Sequence, residues 1–101
     1  MTAHACIIGN PSTGQSARPR VVDDVSRVAG FLQKRRVSIV NHDRQVGLDS
    51  SGMAAAFDSL VAASRDTRSV SLFYYCGHAL ECRDPKDILL LGQDAEHDDA
   101  N

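Results

Sequence analysis

The side chain best placed for chemistry in this chain is His78, which follows a run of apolar residues and is preceded by Gly77, where a backbone can turn sharply out of a strand. An imidazole there can move protons near neutral pH, as activation of a thiol or hydroxyl nucleophile requires. Taken alone, the same histidine reads at least as well as a structural side chain hydrogen-bonded in a loop. The available thiols are Cys6, Cys76 and Cys82. Cys76 stands two residues before His78, so an extended strand points both side chains the same way. Burial at a strand end would raise its thiol pKa and blunt it as a nucleophile. Cys82 falls in a polar stretch and Cys6 in an apolar one. Cys76, His78 and Cys82 also invite a zinc reading, because thiolates and imidazole are good ligands, but no fourth ligand is evident and no metal is expected.

A second motif lies near the start. Gly9-Asn10-Pro11-Ser12-Thr13-Gly14-Gln15-Ser16 approximates the phosphate-binding loop G-x-x-x-x-G-K-[ST] and follows an apolar run. Gln15 replaces the lysine that meets the outer phosphates, and Ala17, Arg18 and Pro19 delay the helix that should begin at once. A degenerate nucleotide-binding domain is therefore an alternative.

The elements that position these residues follow from periodicity. Ala5 to Ile8 reads as a buried strand closed by Gly9, Asn10 and Pro11. Val21, Val25, Val28 and Leu32 recur on one helical face, with Pro19 suited to the first turn and an end near Arg36. Val37 and Ile39 mark a second strand near a sheet edge. A second helix starts from Asp49 or a following serine, with Met53, Phe57, Leu60 and Val61 along one face. Val70 to Cys76 is apolar at nearly every position, which predicts a strand covered on both faces in the middle of the sheet. Ile88 to Leu91 predicts a further short strand, and the acidic tail from Asp94 predicts fraying.

Alternating strands and helices argue for a parallel sheet with helices on its faces. Ligands bind beyond the carboxyl ends of such strands, here Gly9–Gly14, Asn41–Asp43 and Gly77–Leu80. At 101 residues one core is the limit, and a formal net charge of −2 gives no electrostatic reason to expect nucleic acid or a membrane as partner. The unpatterned cysteines, and the lack of a signal peptide or long apolar run, predict a soluble cytoplasmic protein.

Ala5-Cys6-Ile7-Ile8-Gly9-Asn10 and Phe73-Tyr74-Tyr75-Cys76-Gly77-His78 together resemble the caspase-like cysteine peptidases, especially their metacaspase and bacterial branches. Asp23-Asp24-Val25 matches that family's helix opening N-D-A, and Ile88 to Ala95 resembles its leucine-rich segment ending in Asp-Ala. The resemblance implies a three-layer α/β fold of the caspase-haemoglobinase kind, represented incompletely, with residues 1–101 forming the N-terminal part of a single domain. It implies that His78 is the catalytic histidine of a Cys-His dyad in an endopeptidase. The backbone N–H of Ala79, where the family usually has glycine, would bind the oxyanion. Asp24 would line a pocket for a basic substrate side chain, although Arg18 and Arg20 could pair with an acidic one, and Asp24 could simply favour the helix N-terminus.

The family's nucleophilic cysteine normally follows the next core strand, in a segment that these residues do not contain, so this chain alone is expected to be inactive. No cofactor is required, although calcium activates some relatives. The expected partners are a peptide or protein substrate, the remainder of the same domain, or a second copy in a pseudo-symmetric dimer. A catalytically inactive binding or signalling module of the same fold remains the main alternative.

Overall fold

A computed structural model describes residues 2–11, 20–65, 68–83 and 86–93. Strand β1 (Thr2–Gly9) is followed by helix α1 (Val21–Lys34), strand β2 (Ser38–Ile39), helix α2 (Ser50–Ala63) and strand β3 (Ser69–Cys76). Strands β4 (Ala79–Arg83) and β5 (Lys86–Leu90) come last. The first three strands form a parallel sheet in the order β2-β1-β3, while β4 and β5 form a separate antiparallel hairpin.

Alternation along β1 sends its side chains to two cores. Cys6 and Ile8 pack with Leu48, Ala56 and Leu60 of the α2 side. Ile7 packs with Val21, Val25, Ala29 and Ile39 of the α1 side. The helices therefore cover opposite faces, giving the three-layer α/β arrangement that the alternation of elements predicts. Val21 and Val25 are buried, with Val28 and Leu32 against the same cluster, as their spacing requires. Gly9 is where α1 comes closest: an added Cβ would overlap Val25 Cγ2 and sit 2.8 Å from Val21 Cγ1. The close approach of α1 accounts for glycine at this position.

The Asp49 carboxylate caps α2 by accepting from the Gly52 N–H at 2.7 Å, at the start the sequence indicates. The face expected from Met53, Phe57, Leu60 and Val61 needs correction. Ala56 and Leu60 are buried, whereas Phe57 and Val61 are about half exposed. The small alanine lets the helix settle onto β1, and the Phe57 ring instead meets Phe73 edge-on at 5.6 Å.

The position of β3 also needs correction. Its eight residues pair with β1 from Thr2↔Ser69 to Gly9↔Cys76, but among the described residues it forms an edge, and β1 is the central strand. Val70, Leu72 and Phe73 are each 41% exposed. Apolar residues on both faces record what a strand can bury, and pairing decides how much it does.

The short β2 is an edge strand, as expected. Beyond its two residues the ladder is continued by a side chain. Asn41 accepts from the Ile7 N–H at 3.1 Å and donates to the Ile7 carbonyl at 2.6 Å, so its amide stands in for a peptide group. The chain then returns to β1, with the Gly9 N–H donating to Gln45 and the Gly47 N–H donating to Gly9. Gly47 has φ 72°, a conformation that favours glycine.

Candidate active site

The carboxyl ends of β1 and β3 are joined through Asn10, a polar residue that is only 1% exposed. Its backbone N–H donates to the Cys76 carbonyl at 2.9 Å. Its side-chain oxygen accepts from the Leu48 N–H at 2.9 Å, and its amide nitrogen donates to the Leu91 carbonyl at 3.1 Å. One buried amide thus links the tips of both strands, the approach to α2 and the exit of the β4–β5 hairpin.

His78 sits half-buried at this rim, directly after Gly77. The His78 carbonyl accepts from the Leu91 N–H at 3.0 Å and from the Tyr75 hydroxyl at 2.7 Å. A Cβ on Gly77 would lie 2.6 Å from the Tyr75 hydroxyl oxygen and 3.1 Å from the Asn10 carbonyl oxygen. The Gln93 N–H donates to the Leu48 carbonyl at 2.7 Å and closes the base of the hairpin.

Of the three loops expected to form a site, only the first and third contribute to this rim. Asn41 is committed to the β1 ladder, and His42 and Asp43 are exposed. The loop expected over Gly77–Leu80 is shorter than that, because Ala79 already opens β4, opposite Leu90. Two five-residue strands separated by two residues have hairpin spacing, and that signal begins directly after His78 in the sequence. Ile88–Leu91 accordingly contributes to the hairpin, with Ile88 and Leu89 about half exposed or more, and adds no strand to the parallel sheet.

Asp24, in the first turn of α1, is half-buried. Burial pushes the Tyr74 phenol above its ordinary value, reinforced by the charge and hydrogen bond of Cys76 and then by the charge of Asp24. Asp24, Tyr74 and Cys76 therefore share the α1 side of the tip of β3. Cys6 is sealed in β1, where burial raises its thiol pKa. Arg20 is exposed, while Arg18, Pro19 and most of the phosphate-loop-like stretch lie outside the described residues, as does the side chain of Cys82. Among the described residues no three His, Cys, Asp or Glu side chains come together to hold a metal ion.

A cleft of about 220 Å³ opens between the end of β2 and α2, lined by Val40, Arg44, Leu48, Gly52, Ala56 and Ser59 among others. Asp24, His78 and Ala79 do not line it, so it is separate from the rim that carries the histidine. The residues that sequence reasoning overlooked are Tyr75 and Leu91 as partners of the His78 backbone, and Asn10 as the hub. A polar residue directly after a sealed apolar strand is the one signal that pointed to Asn10.

His78 thus lies beyond the carboxyl end of a parallel strand, where ligands bind in open α/β sheets. The family model of the caspase domain matches residues 2–99, nearly the whole chain, and the chain belongs to that family. No curated protein and no solved structure matches it. At the level of the family, this is a caspase-like cysteine-peptidase module, one of the hydrolases that act on proteins. Among the described residues no helix is long and apolar enough to cross a membrane.

Proposed function

We propose that His78 is the general base of a caspase-like cysteine endopeptidase of the metacaspase or bacterial branch, and that residues 1–101 are the N-terminal part of its single domain. The thiol that His78 deprotonates comes, on the family's pattern, from a segment outside these residues, while Cys6 is sealed in β1 and Cys76 interacts with Tyr74. The thiol proton passes to the imidazole, the thiolate attacks the substrate carbonyl carbon, and the imidazolium then protonates the leaving amine. The Ala79 N–H helps bind the oxyanion, and Asp24 receives a basic substrate side chain. The free thiols of Cys6 and Cys76 suit a reducing cytoplasm.

The observation that carries this reading is the fixed His78 turn at the carboxyl rim of the sheet, with its carbonyl held from two directions. Asp24 beside the tip of β3 supports the basic preference, because a carboxylate there can meet an Arg or Lys side chain.

The reading is tested in the complete reading frame that carries this chain, on peptides ending in Arg, Lys or Asp before the scissile bond. Cleavage after Arg or Lys should fall by at least about a hundredfold in His78→Ala, the scale of a lost general base. Undiminished cleavage in that variant would remove His78 from the mechanism. A full-length protein that cleaves nothing and resists thiol-directed peptide probes would leave the inactive binding module as the function, a reading that alanine in place of the family's glycine at residue 79 favours.

A further inference from the structure

This inference rests on the reading of His78 as general base and concerns what holds it in place. The Tyr75 ring packs against the α2-side core, and its hydroxyl reaches past Gly77 to lie 2.7 Å from the His78 carbonyl and 2.7 Å from the Leu91 carbonyl. A hydroxyl has one proton, so Tyr75 can donate to only one of these carbonyls at a time. The Asn10 amide nitrogen also donates to the Leu91 carbonyl at 3.1 Å, so that carbonyl keeps a donor when the tyrosine proton goes to His78. The amide is itself fixed, by the Leu48 N–H on its oxygen at 2.9 Å.

We propose that Tyr75, backed by Asn10, is the positioning residue of His78, and that Gly77 is glycine to make room for the tyrosine hydroxyl. The relation between Gly77 and Tyr75 is steric: a Cβ on residue 77 would take the space that the hydroxyl fills, at 2.6 Å. The clamp is specific to the face of β3 that Tyr75 occupies. Tyr74 points to the opposite face and packs with the α1-side core. Loss of the Tyr75 hydroxyl leaves the Leu91 N–H on the His78 carbonyl, so the fold should survive while the turn loosens. A small misplacement of a catalytic group is costly to rate in a way that it is not to stability.

The test compares Tyr75→Phe with Tyr74→Phe. In the 101-residue chain, nuclear magnetic resonance of the His78 imidazole should show shifted and broadened signals in Tyr75→Phe only. Exchange of the Leu91 amide should quicken by about tenfold in the same variant, the scale of one lost hydrogen bond. Wild-type His78 signals in Tyr75→Phe would overturn the proposal. Should that variant not fold, the unmutated chain decides: a Leu91 amide that exchanges as fast as in an unstructured peptide also overturns it.

In the complete peptidase, Tyr75→Phe should lower kcat by about tenfold and leave KM within about twofold, the signature of a group that acts on the reacting geometry. If His78→Ala retains full activity, the reading of His78 as general base fails while the resonance result still reports on the clamp. If His78→Ala is inactive and Tyr75→Phe matches the wild type in kcat, the positioning role alone is lost.

Discussion

Strands β1 and β3 are parallel neighbours of equal length, paired residue for residue, yet they live in different surroundings. Ala5 to Ile8 of β1 are at most 1% exposed, with a strand on either side and a helix on each face. Val70, Leu72 and Phe73 of β3 are each 41% exposed. By composition the order would be reversed, since β3 is the richer in aromatic and β-branched residues. Burial follows position in the sheet, so the anchor of the fold is β1, and the histidine is carried at the tip of the less covered strand. The Asn10 N–H bond to the Cys76 carbonyl transfers the rigidity of the first to the end of the second.

The largest effects should separate the two strands by stability. Ile7→Ala empties a fully buried site between α1 and β2 and should cost about 3 kcal/mol in denaturant unfolding. Val70→Ala removes a side chain that is already 41% exposed and should cost less than about 1 kcal/mol. Equal losses would mean that β3 is covered in solution by something that the described residues do not show.

Thiol reactivity sharpens the same contrast without a mutation. Cys6 is sealed in β1 and its thiol pKa is raised by burial, while Cys76 is only half-buried at the tip of β3. Labelling followed by peptide mapping should find Cys6 slower than Cys76 by about a hundredfold, because Cys6 must wait for local opening. Comparable rates in the folded protein would contradict the sealed strand.

How much of this was legible beforehand depended on whether a feature is local. Val21, Val25 and Leu32 announce their helix by spacing, and Asp49 announces the start of α2, because periodicity and capping are written in consecutive residues. The resemblance of Phe73–His78 to a family motif marked the candidate histidine for the same reason. The rank of β3 in the sheet was not legible, since apolar residues on both faces do not say which neighbours are present. Nor was the exposure of Phe57, which depends on how closely Ala56 lets the helix approach. The His78 clamp joins residues as distant as Asn10 and Leu91, and no local pattern encodes a hydrogen bond across that separation.

The smallest expected effect tests whether the tip of β3 is shielded at all. The Tyr74 phenol is held above its ordinary value of 10.0, first by burial and then by Cys76 and Asp24. The folded protein thus holds this proton more tightly than the unfolded chain. The resulting stabilisation is fully present below the ordinary phenol pKa and is lost as pH rises through the folded one. Unfolding by urea should therefore become easier as pH rises above about 10, the unfolded phenol range. Cys6, also raised, begins to contribute in the same direction at lower pH, above the ordinary thiol value of 9.0. Tyr74→Phe should remove only the more alkaline part of the slope, and absorbance at the phenolate band should show the missing titration. If the slope is the same in Tyr74→Phe, the phenol at the end of β3 is as solvated as in the unfolded chain. The contrast with β1 would then extend to the end of the strand.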